Sequence, residues 1–154
     1  MTTTELLNKF YSAFQQRDYE TMQSCYHPEA QFSDPVFQNL STQQVKAMWH
    51  MLCERGKDLK IEFTPLGEHL IFWEAQYSFS KTKRIVNNEV TATFEFKEGL
   101  IYKHTDEFDL WKWAGMALGL TGALLGWASF FKSKIRKTGM SSLRHFIKNH
   151  TEYH

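Results

Sequence analysis

Along the first 55 positions, apolar residues recur with the spacing of single helical stripes. Leu6, Leu7, Phe10, Tyr11 and Phe14 follow an i, i+3, i+4, i+7 pattern behind Thr2-Thr3-Thr4-Glu5, which reads as a capping box that satisfies orphan amides at a helix start. Asp18 is placed to cap a second, short helix over Tyr19–Tyr26, which Pro28 must terminate. Ser41-Thr42-Gln43-Gln44 opens a third, with Val45, Met48, Trp49 and Leu52 on its stripe and Arg55-Gly56 as its stop. From Leu59 the period changes to two. Odd positions are apolar in 59–63 and again in 69–79 (Ile71, Trp73, Ala75, Tyr77, Phe79), and even positions are apolar in 90–96. Lys81–Arg84 and Lys97-Glu98-Gly99 read as turns, and Leu100–Leu110 as a long last strand. Helices followed by an antiparallel meander predict an α+β fold, one face of the sheet buried and the other solvated.

The last strand carries the first candidate chemistry. Its even face (Leu100, Tyr102, His104, Asp106, Phe108, Leu110) is the apolar one, yet it holds an imidazole and a carboxylate at i, i+2, where they can meet. Such groups on a core-facing surface must be paired, hydrated or used. The pair reads equally as an acid/base couple, with the carboxylate orienting the ring, or as a satisfied structural contact. Asp34 is the second candidate. Asp34-Pro35 alone is a turn signal, but Phe32, Val36 and Phe37 surround it with apolar groups that raise a buried carboxyl's pKa.

Phe10-Tyr-Ser-Ala-Phe14, Asp18-Tyr19, Met22 and His27-Pro-Glu-Ala-Gln-Phe-Ser-Asp-Pro35, followed by the strand from Leu100 to Asp109, resemble the SnoaL-like and ketosteroid-isomerase-like branch of the nuclear transport factor two superfamily. The resemblance covers most of Leu6–Leu110. It implies a cone, a curved antiparallel sheet wrapped around the N-terminal helices with an apolar pocket at one end, and a homodimer packed sheet to sheet. In the isomerases an Asp in the same Asp-Pro-Val context shuttles the proton, and this matches Asp34. The two acid donors such enzymes need fall on Phe10, with Tyr11 one step off the face, and at or near Ala92, so steroid isomerisation is not expected. The Asp-Arg-Asp arrangement of related epoxide hydrolases finds no arginine at an inward strand position. SnoaL-like cyclases use Asp and His of the pocket, which fits His104 and Asp106. The resemblance thus points to Asp34, His104 and Asp106 as acid/base groups acting on a small apolar molecule. The inward aromatics Phe10, Phe14, Trp49, Trp73, Tyr77, Tyr102 and Phe108 are expected to line the pocket. The alternative is a non-catalytic ligand-binding or partner-binding module.

Composition narrows the rest. With 13 Phe, 6 Tyr and 5 Trp in 154 residues, disorder is excluded. A formal charge of +1 speaks against general nucleic-acid binding. Cys25 and Cys53 are too few for a disulfide framework and read as buried thiols, and the N-terminus lacks a secretory signal, so a cytoplasmic location is expected. No metal-ligand spacing, phosphate-binding glycine motif or nucleophile elbow is present, and no cofactor is expected. His27 reads as a loop residue and His50 as solvated.

The balanced charge hides an asymmetry. Trp113–Phe131 contains no charged residue, whereas Lys132–His154 carries six basic residues and one acidic one. Residues 113–137 have the aromatic ends, small-xxx-small glycines and basic flank of a membrane segment, but only four leucines inside the uncharged run. The favoured reading of 111–154 is a helical extension of the 1–110 cone: two short helices broken near Gly119–Gly122, folded over the pocket mouth, then an amphipathic helix over Ser141–His150.

Overall fold

The protein is described from a computed structural model covering residues 1–154. Helix α1 spans Thr3–Gln15; the Thr2 hydroxyl accepts the Glu5 amide at 3.1 Å, and the whole predicted stripe is buried. Asp18 caps α2 (Tyr19–Ser24) through the Thr21 amide and hydroxyl. This helix ends two residues earlier than expected, because Tyr26 already belongs to a strand. That strand, β1 (Tyr26–Ser33), was not legible, since Pro28 interrupts it. The ladder skips the interruption: Tyr26 pairs with Ile101, and pairing resumes only at Gln31–Lys103. Strand β2 is the short pair Leu40–Ser41, and α3 (Thr42–Arg55) starts with a complete reciprocal capping box between Ser41 and Gln44.

The meander follows as β3 (Lys60–Pro65), β4 (Leu70–Ser78), β5 (Ile85–Lys97) and β6 (Leu100–Glu107). The sheet order is β2-β1-β6-β5-β4-β3. All ladders are antiparallel except β1–β6, which is parallel, so the curved sheet is mixed at one side. Its concave face closes around α1 and α3 in one core that holds Phe10, Trp49, Ile71, Ala92 and Phe94.

The extension begins with α4 (Leu110–Leu118), capped by Asp109, and α5 (Leu120–Leu125). They break at Gly119, whose φ of +70° disfavours side chains with a Cβ. Gly122 then lies directly against the Ala114 carbonyl, where a Cβ would collide with backbone. The β4–β5 turn holds this end: Arg84 Nε donates to Met116 O at 2.9 Å, and the Thr82 hydroxyl to Ala117 O at 2.6 Å. The amphipathic helix is longer than its sequence pattern suggested. Helix α6 runs Ser129–Lys148 and buries Phe131, Leu143 and Phe146, and a final 3₁₀ turn (Thr151–Tyr153) buries Tyr153. No helix is long and apolar enough to cross a membrane.

Candidate functional site

A cavity of about 490 Å³ opens between the concave sheet, α3, the 34–37 loop, α4 and α6. Phe14, Trp49, Trp73, Tyr77 and Phe108 form much of its apolar wall, and Asp34 and Asp106 both face it. Two expected wall residues do not line it. Phe10 lies behind the wall, fully buried, with its ring edge-on to Tyr26, Trp49 and His104. Tyr102 is displaced by a bulge in the β5–β6 ladder: Ile101 pairs with Phe96, Lys103 with Glu95, and Tyr102 is the extra residue. Ile101 therefore points inward and is fully buried, while Tyr102 packs beside His27 under the Lys97 ammonium, 5.0 Å from its ring centre.

Asp34 follows β1 in a tight turn. Its Oδ1 accepts the amides of Val36 (2.7 Å) and Phe37 (2.6 Å), and its own amide donates to Phe37 O. Pro35 O in turn accepts Arg136 Nε of α6 at 2.9 Å, which ties the loop to the extension. Burial pushes the Asp34 carboxyl up from 3.8 to about 7; the charge of Asp106 adds to this, and the two amides oppose it.

His104 and Asp106 meet, with Nε2 2.8 Å from Oδ1. The imidazole is 1% exposed and does not reach the cavity, so it acts on the site only through Asp106. Its Nδ1 lies 2.7 Å from the Tyr26 hydroxyl, and that hydroxyl accepts Trp49 Nε1–H at 2.9 Å. An indole N–H only donates, so the Tyr26 proton is free for His104 Nδ1. The pattern assigns the remaining imidazole proton to Nε2, which donates to a carboxylate at Asp106. The result is a four-membered chain, Trp49–Tyr26–His104–Asp106, whose two ends line the cavity and whose middle members are buried behind its wall. Tyr26 carries no sequence signal of its own, since the helical pattern of 19–26 takes it in, whereas it begins β1.

Further polar groups complete the surroundings. Asn88 faces the cavity on β5; it extends the inward even positions of that strand two residues beyond Val90. Tyr77 Oη accepts Trp113 Nε1–H at 2.9 Å, and burial together with the nearby Asp34 carboxylate raises its pKa. Tyr11 Oη and Trp73 Nε1 are buried without any hydrogen-bond partner.

Two other histidines differ from expectation. His27 lies in β1, buried, with Nε2 3.2 Å from Glu98, and it does not bond to Asp34. His50 is buried, stacked on Tyr19 at 3.8 Å and bonded through Nδ1 to the Tyr153 hydroxyl at 2.8 Å. His50, His150 and Glu152 bring ligand-capable atoms within 4.8 Å of one another. Tyr153 Oη also accepts Gln23 Nε2 at 2.7 Å, which ties the end of the chain to α2 and α3. The other ring nitrogen, Nε2, faces Glu54 at 3.3 Å, so both nitrogens of His50 already have partners.

A cone of curved sheet and helices enclosing an apolar cavity with two carboxyl groups is the architecture of small-molecule sites in the nuclear transport factor two-like fold. The sequence profile of the SnoaL-like domain matches residues 7–104, and the chain belongs to this family. Solved structures share the fold at low identity. IdmH of Streptomyces antibioticus, described as a candidate polyketide cyclase, is 16% identical with a TM-score of 0.61, covering 78% of this chain and 100% of its own. An LEH-like epoxide hydrolase of M. tuberculosis is 16% identical with a TM-score of 0.59, over 80% of this chain and 96% of its own. A protein of ketosteroid isomerase-like fold from Catenulispora acidiphila, bound to trimethylamine, is 9% identical with a TM-score of 0.62, over 76% of this chain and 94% of its own. No curated protein matches the sequence.

Proposed function

We propose that the chain is a metal-independent acid/base enzyme that isomerises, cyclises or hydrolyses a small, largely apolar molecule held in the cone cavity. The observation that carries this reading is that Asp34 and Asp106 both line the cavity, with the Asp34 carboxyl pushed up to about 7. A carboxyl with that pKa gives up and regains a proton at neutral pH, as a general base must. Its Oδ1 is fixed by two amides, leaving the second oxygen to accept the substrate proton. Asp106, held by His104, supplies a fixed negative charge that keeps Asp34 basic and favours a developing cation. Asn88 offers an uncharged amide for a polar group of the ligand. The extension acts as a lid in this reading, since Trp113 of α4 and Phe131 of α6 supply part of the cavity wall.

The proposal is tested by screening the purified chain against epoxides, enones and poly-β-carbonyl compounds. Asp34→Asn and Asp106→Asn should each lower kcat/KM at least a hundredfold. An active substrate turned over equally well by both variants overturns the assignment.

A binding module is the second reading, favoured by the donors the isomerase pattern lacks. Phe10 stands where that pattern has a tyrosine, and fully buried Ala92 pairs directly with Asp106. Ligand binding that survives in Asp34→Asn, without turnover in the native chain, would favour it. The homodimer expected from the resemblance would use the outer sheet face around Thr93 and Thr105, which lie opposite one another. Light scattering on the native chain and on Thr93→Arg tests this.

A further inference from the structure

The extension carries an apolar surface that the cavity does not use. Leu120 is 75% exposed, Leu124 61%, Trp127 61% and Phe130 68%, all within eleven consecutive residues. Both exposed indole N–H groups are satisfied internally: Trp111 Nε1 donates to Ala123 O at 2.9 Å and Trp127 Nε1 to Leu124 O at 2.8 Å. Only the apolar faces of these rings are left for a partner. An apolar cluster of this density is uncommon on a free monomer and marks an interaction surface.

Phe130 also heads the exposed stripe of α6. At 3.6 residues per turn, Phe130, Lys134, Lys137, Ser141, Arg144 and Lys148 share one side of the helix, and all six are exposed. No acidic residue occurs between Leu110 and Thr151 to offset these cations. The stripe spans about 27 Å from Phe130 to Lys148 at 1.5 Å per residue. The extension therefore presents an apolar tip continuous with a basic rail.

We propose that this tip and rail dock on the surface of an anionic lipid bilayer. The tip enters the headgroup boundary and the rail lies along it, which is the composition of helices that bind in the interface plane. Nucleic acid would meet the rail but leave the tip unpaired, and an aqueous exterior leaves the tip uncovered. The helices are too short or too polar to span, so the association is peripheral. Docking places the cavity mouth near lipid, because Phe131 and Ile135 on the neighbouring side of the same helix line the cavity.

Co-sedimentation of the full chain with phosphatidylcholine vesicles, with and without phosphatidylserine at about 7:3, tests the proposal. The native chain should pellet with the phosphatidylserine vesicles. Lys137→Glu/Arg144→Glu/Lys148→Glu should weaken this about a hundredfold, at roughly 1 kcal/mol per cation. Leu124→Ser/Trp127→Ser should also release the chain while leaving the far-ultraviolet circular dichroism unchanged. A native chain that stays in the supernatant at about 1 mM lipid overturns the proposal. So does a tip variant that pellets like the native chain. A native dimer that the tip variant converts to monomer, with neither binding vesicles, would assign the surface to a second copy instead.

Discussion

Trp113 Nε1 donates to Tyr77 Oη across 2.9 Å, and this bond joins the first helix of the extension to the fourth strand of the cone. Both rings line the cavity, so the bond lies in the wall rather than on the outer surface. A single neutral hydrogen bond is worth about 1 kcal/mol. Trp113→Phe should therefore cost about that much in urea unfolding, and should speed dissociation of any cavity ligand more than it changes association. Stopped-flow rates measured on both proteins check the split.

Asp34 makes stability depend on pH in an unusual direction for a carboxyl. Its folded pKa is raised from 3.8 to about 7, so between these values the folded chain binds more protons than the unfolded one. Stability from this group is fully present below about pH 4 and is lost as pH rises through about 7. Asp34→Asn keeps the oxygen that accepts the Val36 and Phe37 amides and removes the titration. It should stabilise the fold at pH 8 by up to roughly 4 kcal/mol and leave it unchanged at pH 4. Guanidinium unfolding across that range reads the difference.

Asp106 acts on Asp34 through its charge. Asp106→Asn should lower the Asp34 pKa, because the carboxylate of Asp106 is one of the causes raising it. Carbon-13 chemical shifts of the Asp34 carboxyl, followed against pH, report this directly. An unchanged midpoint would show that the two groups do not interact.

Tyr26 bridges two buried groups, and its hydroxyl has no substitute among neighbours. Tyr26→Phe strands both Trp49 Nε1–H and His104 Nδ1, each in a buried setting. The expected loss is about 2–5 kcal/mol in chemical denaturation. A shift of the N–H-sensitive indole band in ultraviolet resonance Raman would trace the Trp49 part separately.

The thiols offer a simple check on burial. Burial pushes Cys53 up to about 12 and raises Cys25 as well. Neither should react with a disulfide reagent at pH 8 until denaturant is added, when both should titrate.

The legible parts of the fold were those where one period ran uninterrupted. Helices α1 and α3 followed a 3.6-residue stripe with a cap at its start, and β3, β4 and the 90–96 half of β5 alternated, whereas 85–89 of β5 did not. Strand β1 was hidden because Pro28 and the skipped ladder positions break the alternation that identifies a strand. The bulge at Tyr102 was hidden for a different reason: Ile101 and Tyr102 are both apolar, so either could occupy the inward position. His50 read as solvated because its partners, Tyr19 and Tyr153, lie on distant segments that only folding brings together. In the site, Asp34 and the His104–Asp106 pair stood out as polar groups in apolar surroundings. Tyr26 and Asn88 did not, since a tyrosine near a helix end and an asparagine beside another asparagine look ordinary in a sequence.

The parallel pairing of β1 with β6 also bears on how the chain is made. Tyr26 finds its partner at Ile101, more than seventy residues later, and α1 and α3 pack on a sheet that β6 must complete. A ribosome therefore exposes β1 with only the two-residue β2 and α3 to cover it, long before β6 exists, and closure of the cone must wait for the end of the meander. Contacts of such sequence separation slow folding, and the exposed early segments are natural substrates for chaperones that shield nascent chains.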